Sequence, residues 1–226
     1  MKAYERETDM WNKIFKEYQP MDLRGMELKV EPMFDEALEL FAGKTKRVLD
    51  FGCGTGDISF QYLQSQPDHQ IVGVDKAKTG ICFAKETARL SHYKKTNFLT
   101  GGEELLDLFH KENYDGIILS NVLDVMPKDV SCETMQKLNQ LLKIDGYWFI
   151  KMNPYYSQEE LDSFGYQKKG ENLYEEEGIL QLRQATTEYW KKQLSELGEI
   201  IIYLEFQYPW QKGMNRLFVI KKHNFT

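Results

Sequence analysis

The sequence predicts an α/β fold: a doubly wound, mostly parallel sheet with an antiparallel last strand. Three observations carry that prediction. The segment VLDFGCGTGDISF, from Val48 to Phe60, joins a short β-branched strand to a helix through glycines at alternate positions. After Lys46, apolar runs of strand length alternate with amphipathic stretches of helix length, the order of a sheet with helices on its faces. The final two apolar runs are separated by a connection too short for a crossover, so they must pair antiparallel.

With 226 residues, 42% hydrophobic and 28% charged, the chain is sized for one substantial α/β domain rather than two. The expected division is a helical cap over residues 1–45 and a main domain over residues 46–226, interrupted by an insertion at 153–183. The cap carries aromatic positions Tyr4, Trp11, Phe15 and Tyr18, the last three on one helical face, then a break at Pro20 and a second helix from Glu31 to Phe41. A stripe of this kind ordinarily packs on the domain behind it.

The first strand ends at Asp50, and Gly52, Gly54 and Gly56 lead into a helix from Asp57 to Gln64. Glycine allows a tight turn and close approach of a ligand to the main chain, while the helix start points unpaired N–H groups at the same crevice. The second strand, Ile71 to Val74, ends in Asp75 and precedes a helix from Lys78 to Leu90. The third, Thr96 to Thr100, runs into GGEELLDLF, with a helix expected from Glu103 to His110. The fourth, Tyr114 to Leu119, ends in SNVLDVMP before a helix from Val130 to Leu142, whose Met135, Leu138, Leu141 and Leu142 recur at helical spacing and should face the sheet. A turn at LKIDG introduces the fifth strand, Tyr147 to Met152. The insertion contains NPYYSQEEL and a hairpin candidate built on Leu173, Tyr174 and Ile179 to Leu182. A helix from Thr186 to Leu197 precedes the sixth and seventh strands, Glu199 to Phe206 and Asn215 to Lys221, joined by QYPWQKGM.

The glycine spacing separates ligand classes. A dinucleotide site reads G-x-G-x-x-G and seats a pyrophosphate on the helix start. Here the order is acid-x-G-x-G-x-G, and the Asp50 carboxylate would repel a pyrophosphate but suit a positive amino or sulfonium group. Asp75, at the end of the neighbouring strand, is placed to accept both hydroxyls of a ribose; capping of the following helix is the alternative reading.

In these residues the chain resembles the class I S-adenosylmethionine-dependent methyltransferases of small-molecule type. The resemblance rests on motifs from Lys46 to Lys151 and on element order beyond. It implies a seven-stranded Rossmann-like sheet, an N-terminal helical lid, in which Tyr18 and Arg24 are the residues to watch, a substrate cover built by the insertion at 153–183, and S-adenosylmethionine as cofactor. It also implies that Asp50, Gly52, Gly54 and Gly56 wrap the amino acid part of the cofactor, that Asp75 holds the ribose and that Lys76 flanks the adenine. Gly102 stands where the family usually places an acid against the adenine amino group, which leaves that contact to Glu103 or Glu104. Ser120, Asn121 and Val122 fall on the loop beneath the sulfonium, with Asp124 toward the substrate; Asn121 as a turn former and Asp124 as a helix N-terminal acid are the alternatives.

The implied reaction is in-line methyl transfer to a small-molecule acceptor, in which the protein aligns the acceptor and excludes water. Should the acceptor need to lose a proton, Asp124 is the first candidate base and Tyr155 or Tyr156 the second. Tyr155, Tyr156 and Tyr174 are read as pocket walls or as loop anchors. Asn153-Pro154-Tyr155-Tyr156 superficially resembles the N-P-P-Y motif of amino-methylating nucleic-acid enzymes, but that motif belongs after the fourth strand and here follows the fifth. An RNA-modifying methyltransferase is one alternative, since Lys151 sits where some ribose methylases place a lysine, although their partner Asp and Lys are not found. A non-catalytic cofactor-binding interaction module is another. Aminopropyl transfer from a decarboxylated cofactor fits poorly, because Asp50 suits an intact amino acid portion.

Composition narrows the partners. A net charge of −6, a pI near 5.4 and lysines that occur in pairs rather than runs argue against nucleic acid. Three scattered cysteines, Cys53, Cys82 and Cys132, read as reduced thiols, and the four histidines show no metal-ligand spacing, so no metal is expected. There is no uncharged apolar run of about 18 residues and no signal-peptide core in MKAYERETDMW, so the expectation is a cytoplasmic protein without membrane contact, monomeric or homodimeric.

Overall fold

The computed structural model describes residues 3–223, with side chains from residue 6 onward, so the Tyr4 side chain lies outside the described residues. Two helices come first, α1 (Ala3–Lys16) and α2 (Pro32–Ala42), followed by β1 (Arg47–Phe51), α3 (Asp57–Ser65), β2 (Gln70–Asp75), α4 (Lys78–Leu90), β3 (Thr96–Thr100), β4 (Tyr114–Ser120), α5 (Lys128–Leu141) and β5 (Leu142–Met152). The insertion holds α6 (Gln158–Ser163), β6 (Gln167–Lys169), β7 (Leu173–Glu176) and β8 (Ile179–Arg183), and the chain closes with α7 (Thr187–Leu194), β9 (Gly198–Phe206) and β10 (Asn215–Lys222).

The main sheet is seven-stranded in the order β3-β2-β1-β4-β5-β10-β9, with β10 antiparallel to both its neighbours. The order of strand addition reverses between β1 and β4, which pair in parallel, and this switch point opens a crevice at the carboxyl ends of the strands. Central strands are apolar on both faces because both are covered. Leu49, Trp148 and Ile150 bury under α5 and α7 with Met135, Leu138 and Trp190, whereas Val48 and Phe149 bury under α2, α3 and α4 with Phe34, Phe41, Phe60 and Ile81. Among the described residues, no helix is long and apolar enough to cross a membrane.

Several local expectations change. Phe34 meets Phe149 at 5.4 Å and Phe41 meets Tyr62 at 6.0 Å, so α2 belongs to the core of the main domain and only α1 lies over it. Helix α1 stops at Lys16, which leaves Tyr18 beyond its end; the ring still reaches Phe15 at 6.0 Å and Phe83 at 6.3 Å. The expected helix at Glu103 is a short 3₁₀ helix, Glu103–Leu108. The LKIDG turn is absorbed into β5, which starts at Leu142 by pairing with Tyr114. In the insertion the hairpin is a three-stranded sheet, β6-β7-β8, preceded by α6. That helix carries a capping box in which Ser157 Oγ accepts from the Glu160 N–H at 3.2 Å and the Glu160 carboxylate accepts from the Ser157 N–H at 2.7 Å.

A buried arginine ties the insertion to the main domain. From the end of β8, Arg183 donates to the carbonyls of Met126 (2.9 Å) and Leu123 (2.8 Å) and to Ser131 Oγ (3.1 Å), with its guanidinium 4.5 Å above the Trp190 ring. Arg216 of β10 donates to the Asn153 and Ala185 carbonyls, pinning both ends of the insertion.

Candidate functional site

A cavity of about 280 Å³ lies at the carboxyl ends of β1, β2 and β4, beneath α1. The glycine loop forms its floor. Gly52 has a φ of 77°, and a Cβ there would sit 2.4 Å from Val122 Cγ2, so only glycine lets the turn pass under the loop after β4. The turn is held from behind, the Gly52 and Cys53 N–H groups donating to the Val74 carbonyl at 2.7 and 3.1 Å.

The walls are acidic. Asp50 is 2% exposed and accepts from Ser59 Oγ at 2.6 Å; burial outweighs that bond and lifts its pKa from 3.8 to about 7. Asp75 accepts from the Ala77 N–H at 2.7 Å and from the Gly54 N–H at 2.8 Å, so it caps the start of α4 and braces the glycine loop at once; burial raises its pKa against both bonds. Asp57 takes the Thr55 hydroxyl at 3.0 Å and is likewise raised by burial. From α1, Glu7 turns into the cavity, where burial lifts it to about 7 although the Trp11 indole donates to it at 3.2 Å. Lys76 pairs with Glu103 at 2.7 Å. The lining thus holds five carboxylates and one ammonium, a surface that favours a positively charged ligand rich in hydrogen-bond donors.

The structure gathers ten of the sequence candidates on this cavity: Asp50, Gly52, Gly54, Asp75, Lys76, Gly102, Glu103, Ser120, Asn121 and Val122. Gly56 stands just behind, with a φ of 84° at the start of α3. Asn121 adopts a left-handed φ of 55°, and its Oδ1 accepts from Lys151 Nζ at 2.8 Å. Lys151 is 4% exposed, stands behind Asn121 with Tyr208 beneath it at 5.3 Å, and burial lowers its pKa to about 8. Gly102 has a spatial reason as well, since a Cβ there would lie 2.2 Å from Lys76 Cε.

The three catalytic candidates are not brought to the cavity. Asp124 is fully buried, its Oδ2 accepting from the Asn153 N–H at 2.6 Å, which fastens the β4 loop to the end of β5. Tyr155 is 53% exposed on the outside. Tyr156 packs edge-on against Phe164 at 5.1 Å, and its carbonyl accepts from the Gln184 side chain. Tyr174 donates to Gln158 at 3.3 Å within the insertion. Tyr156 and Tyr174 thus anchor the insertion, and Tyr155 does not reach the cavity. Arg24 turns to Asp22 at 2.6 Å on the exposed surface.

Sequence reasoning passed over Glu7, Thr8, Thr55, Asp57, Val125 and Met126, all on the lining. For Glu7 a signal existed, because Glu7, Trp11 and Phe15 are spaced by four residues and share a helix face.

Fold and site together define a class of protein, a doubly wound α/β domain with an acidic cavity at its switch point that favours a donor-rich cationic ligand. The methyltransferase domain family matches residues 42–201, and the chain belongs to that family. It is 32% identical over 111 residues to the uncharacterized protein RP028 of Rickettsia prowazekii (strain Madrid E), an alignment that covers 49% of this chain and 44% of that protein. It is 27% identical over 186 residues to the malonyl-[acyl-carrier protein] O-methyltransferase of Halalkalibacterium halodurans, covering 80% of this chain and 66% of the relative. The chain therefore spans less than half the length of the first relative and about two thirds of the second. Among solved structures, the 1,6-didemethyltoxoflavin-N1-methyltransferase of Burkholderia thailandensis, crystallised with 1,6-didemethyltoxoflavin and S-adenosylhomocysteine, superposes with a TM-score of 0.66 at 16% identity, over 98% of this chain and 84% of that one. At that identity the likeness is one of fold.

Proposed function

We propose that the chain is an S-adenosylmethionine-dependent methyltransferase acting on a small-molecule acceptor. The observation that carries this reading is the conjunction, on one cavity, of a glycine loop with no room for side chains and acidic groups at the ends of adjacent strands. The acidic, hydrogen-bond-accepting lining fits the cofactor, whose amino and sulfonium groups are positive and whose ribose and adenine carry hydrogen-bond donors. When bound, the cofactor supplies a methyl group on a positive sulfur, open to direct attack.

The remaining work falls to this chain's residues. Asp50 receives the amino group, and the carboxylate that burial holds at a pKa of about 7 becomes charged when that cation arrives. Asp75 takes the ribose hydroxyls while bracing the loop through Gly54. Ser120, Asn121 and Val122 support the reacting end, with Asn121 fixed from behind by Lys151. Trp11, Phe15, Val125 and Met126 line the same space and exclude water from it. Asp124 fastens the β4 loop, Tyr156 packs within the insertion and Tyr155 faces outward, so we assign them no proton transfer. A small acceptor is favoured over RNA because the net charge is −6 and Lys151 is buried rather than displayed.

Calorimetric titration with S-adenosylmethionine, S-adenosylhomocysteine and NAD tests the reading. Micromolar binding of both adenosyl ligands without NAD binding is expected; absence of adenosyl binding overturns it. Formation of S-adenosylhomocysteine with a panel of small nitrogen and oxygen nucleophiles, but not with RNA, would separate the small-molecule reading from its rival.

A further inference from the structure

We propose that Glu7, on the N-terminal helix α1, is the carboxylate that receives the 6-amino group of the cofactor's adenine, so that the lid recognises the cofactor together with the sheet. The inference rests on the cofactor reading above and adds a residue that no motif identifies.

Of the acids that the sequence offered for this contact, Glu104 is off the cavity lining and accepts from the Gly102 N–H at 2.8 Å, and Glu103, on the lining, is held by Lys76 at 2.7 Å. Gly102 itself offers no carboxylate, and the flexible end of Lys76 lies against it, its Cε 2.2 Å from where a Cβ would stand. Glu7 lines the same cavity from above. It shares that lining with Asp75, Lys76, Gly101, Gly102 and Glu103, the residues at and after the ends of β2 and β3, which is the adenosine end. Trp11 Nε1 holds Glu7 Oε1 at 3.2 Å, and no described residue donates to Oε2. Burial disfavours the charge on Glu7 by more than Trp11 and Lys76 offset, with Asp75 and Glu103 adding repulsion, and an incoming N–H donor relieves that cost.

The helix that carries Glu7 is firmly docked. Asn12 Oδ1 accepts from the Thr79 N–H at 3.0 Å, and the Thr79 hydroxyl donates to the Asn12 carbonyl at 3.0 Å. The Phe15 ring fills the space above Gly54 and Gly80. On its other side α1 meets β8, where Gln181 Nε2 donates to Met10 Sδ at 3.8 Å. A ligand bond at Glu7 would therefore hold the lid against both the cofactor domain and the cover.

The test compares two ligands by calorimetry: S-adenosylhomocysteine and its purine riboside counterpart, which lacks the 6-amino group. Wild-type protein is expected to prefer the amino ligand by about tenfold or more. Glu7→Ala should abolish the preference, and Glu7→Gln should keep part of it, because the amide oxygen still accepts. A Glu104→Ala control should leave the preference intact. Preservation of the wild-type preference in folded Glu7→Ala and Glu7→Gln, or no preference in the wild type, overturns the assignment. If the wild type binds neither ligand, the cofactor reading itself fails, a separate outcome.

Discussion

Replacing Asp50 by asparagine keeps the shape of the side chain and removes its charge, and the consequence is best read as a function of pH. In the ligand-free protein Asp50 is 2% exposed, and burial holds its pKa at about 7, well above its ordinary 3.8. If the carboxylate must be ionised to receive the cofactor's amino group, affinity is flat above about pH 7 and falls about tenfold, or about 1.4 kcal/mol, for each unit below it. At about pH 5 the wild type should then bind S-adenosylhomocysteine about 100-fold more weakly than on its plateau. Asp50→Asn should bind no better than the wild type at that low pH and should lose this slope.

Stability moves the other way. A carboxyl whose folded pKa lies above its unfolded value contributes stability that is present at low pH and is lost as pH rises through about 7. Across about three pH units the loss is on the order of 4 kcal/mol, and the asparagine variant escapes it, so the ligand-free variant should melt higher than the wild type above neutrality. Calorimetry in two buffers of different ionisation heat counts the protons released on binding. Glu7 titrates in the same range, and the Glu7→Gln background isolates the Asp50 contribution. Wild-type affinity and an unchanged slope in Asp50→Asn would refute the electrostatic reading of the site.

Gly52→Ala should abolish cofactor binding and destabilise the fold by about 2 kcal/mol, since its Cβ would lie 2.4 Å from Val122 at a φ of 77°; retained affinity in calorimetry would show that the turn is not the cradle. Arg183→Met should cost about 3 kcal/mol in a urea titration, because the Leu123 and Met126 carbonyls and Ser131 lose a buried donor, and it should expose the insertion to protease first. Ser157→Ala should weaken α6 by about 1 kcal/mol, visible as faster amide exchange in that helix with little effect on the global midpoint.

Much of the frame was legible. Lys78 to Leu90 is helical as its spacing predicts, and the β-branched runs ending at Asp50 and Asp75 are strands because both sheet faces are covered and tolerate nothing polar. Boundaries were harder where local and tertiary preferences compete. Leu142 continues helical periodicity but pairs with Tyr114, so the strand claims it. The α6 capping box was readable as Ser157 followed by Glu160, a signal passed over in a segment treated as loop.

The acid-glycine loop and the order of elements can be read from the chain alone, because strand alternation, glycine spacing and helix starts are short-range properties. Which side chains share the cavity was decided only in three dimensions. Asp124 and Glu7 show the contrast. Asp124 stands in a motif segment yet is fully buried, since the turn after β4 directs it to the Asn153 N–H. Glu7 stands in no motif yet lines the cavity, since α1 docks on α4 through Asn12 and Thr79 and carries it there. Those placements follow from packing between elements far apart in the chain, which local spacing does not encode.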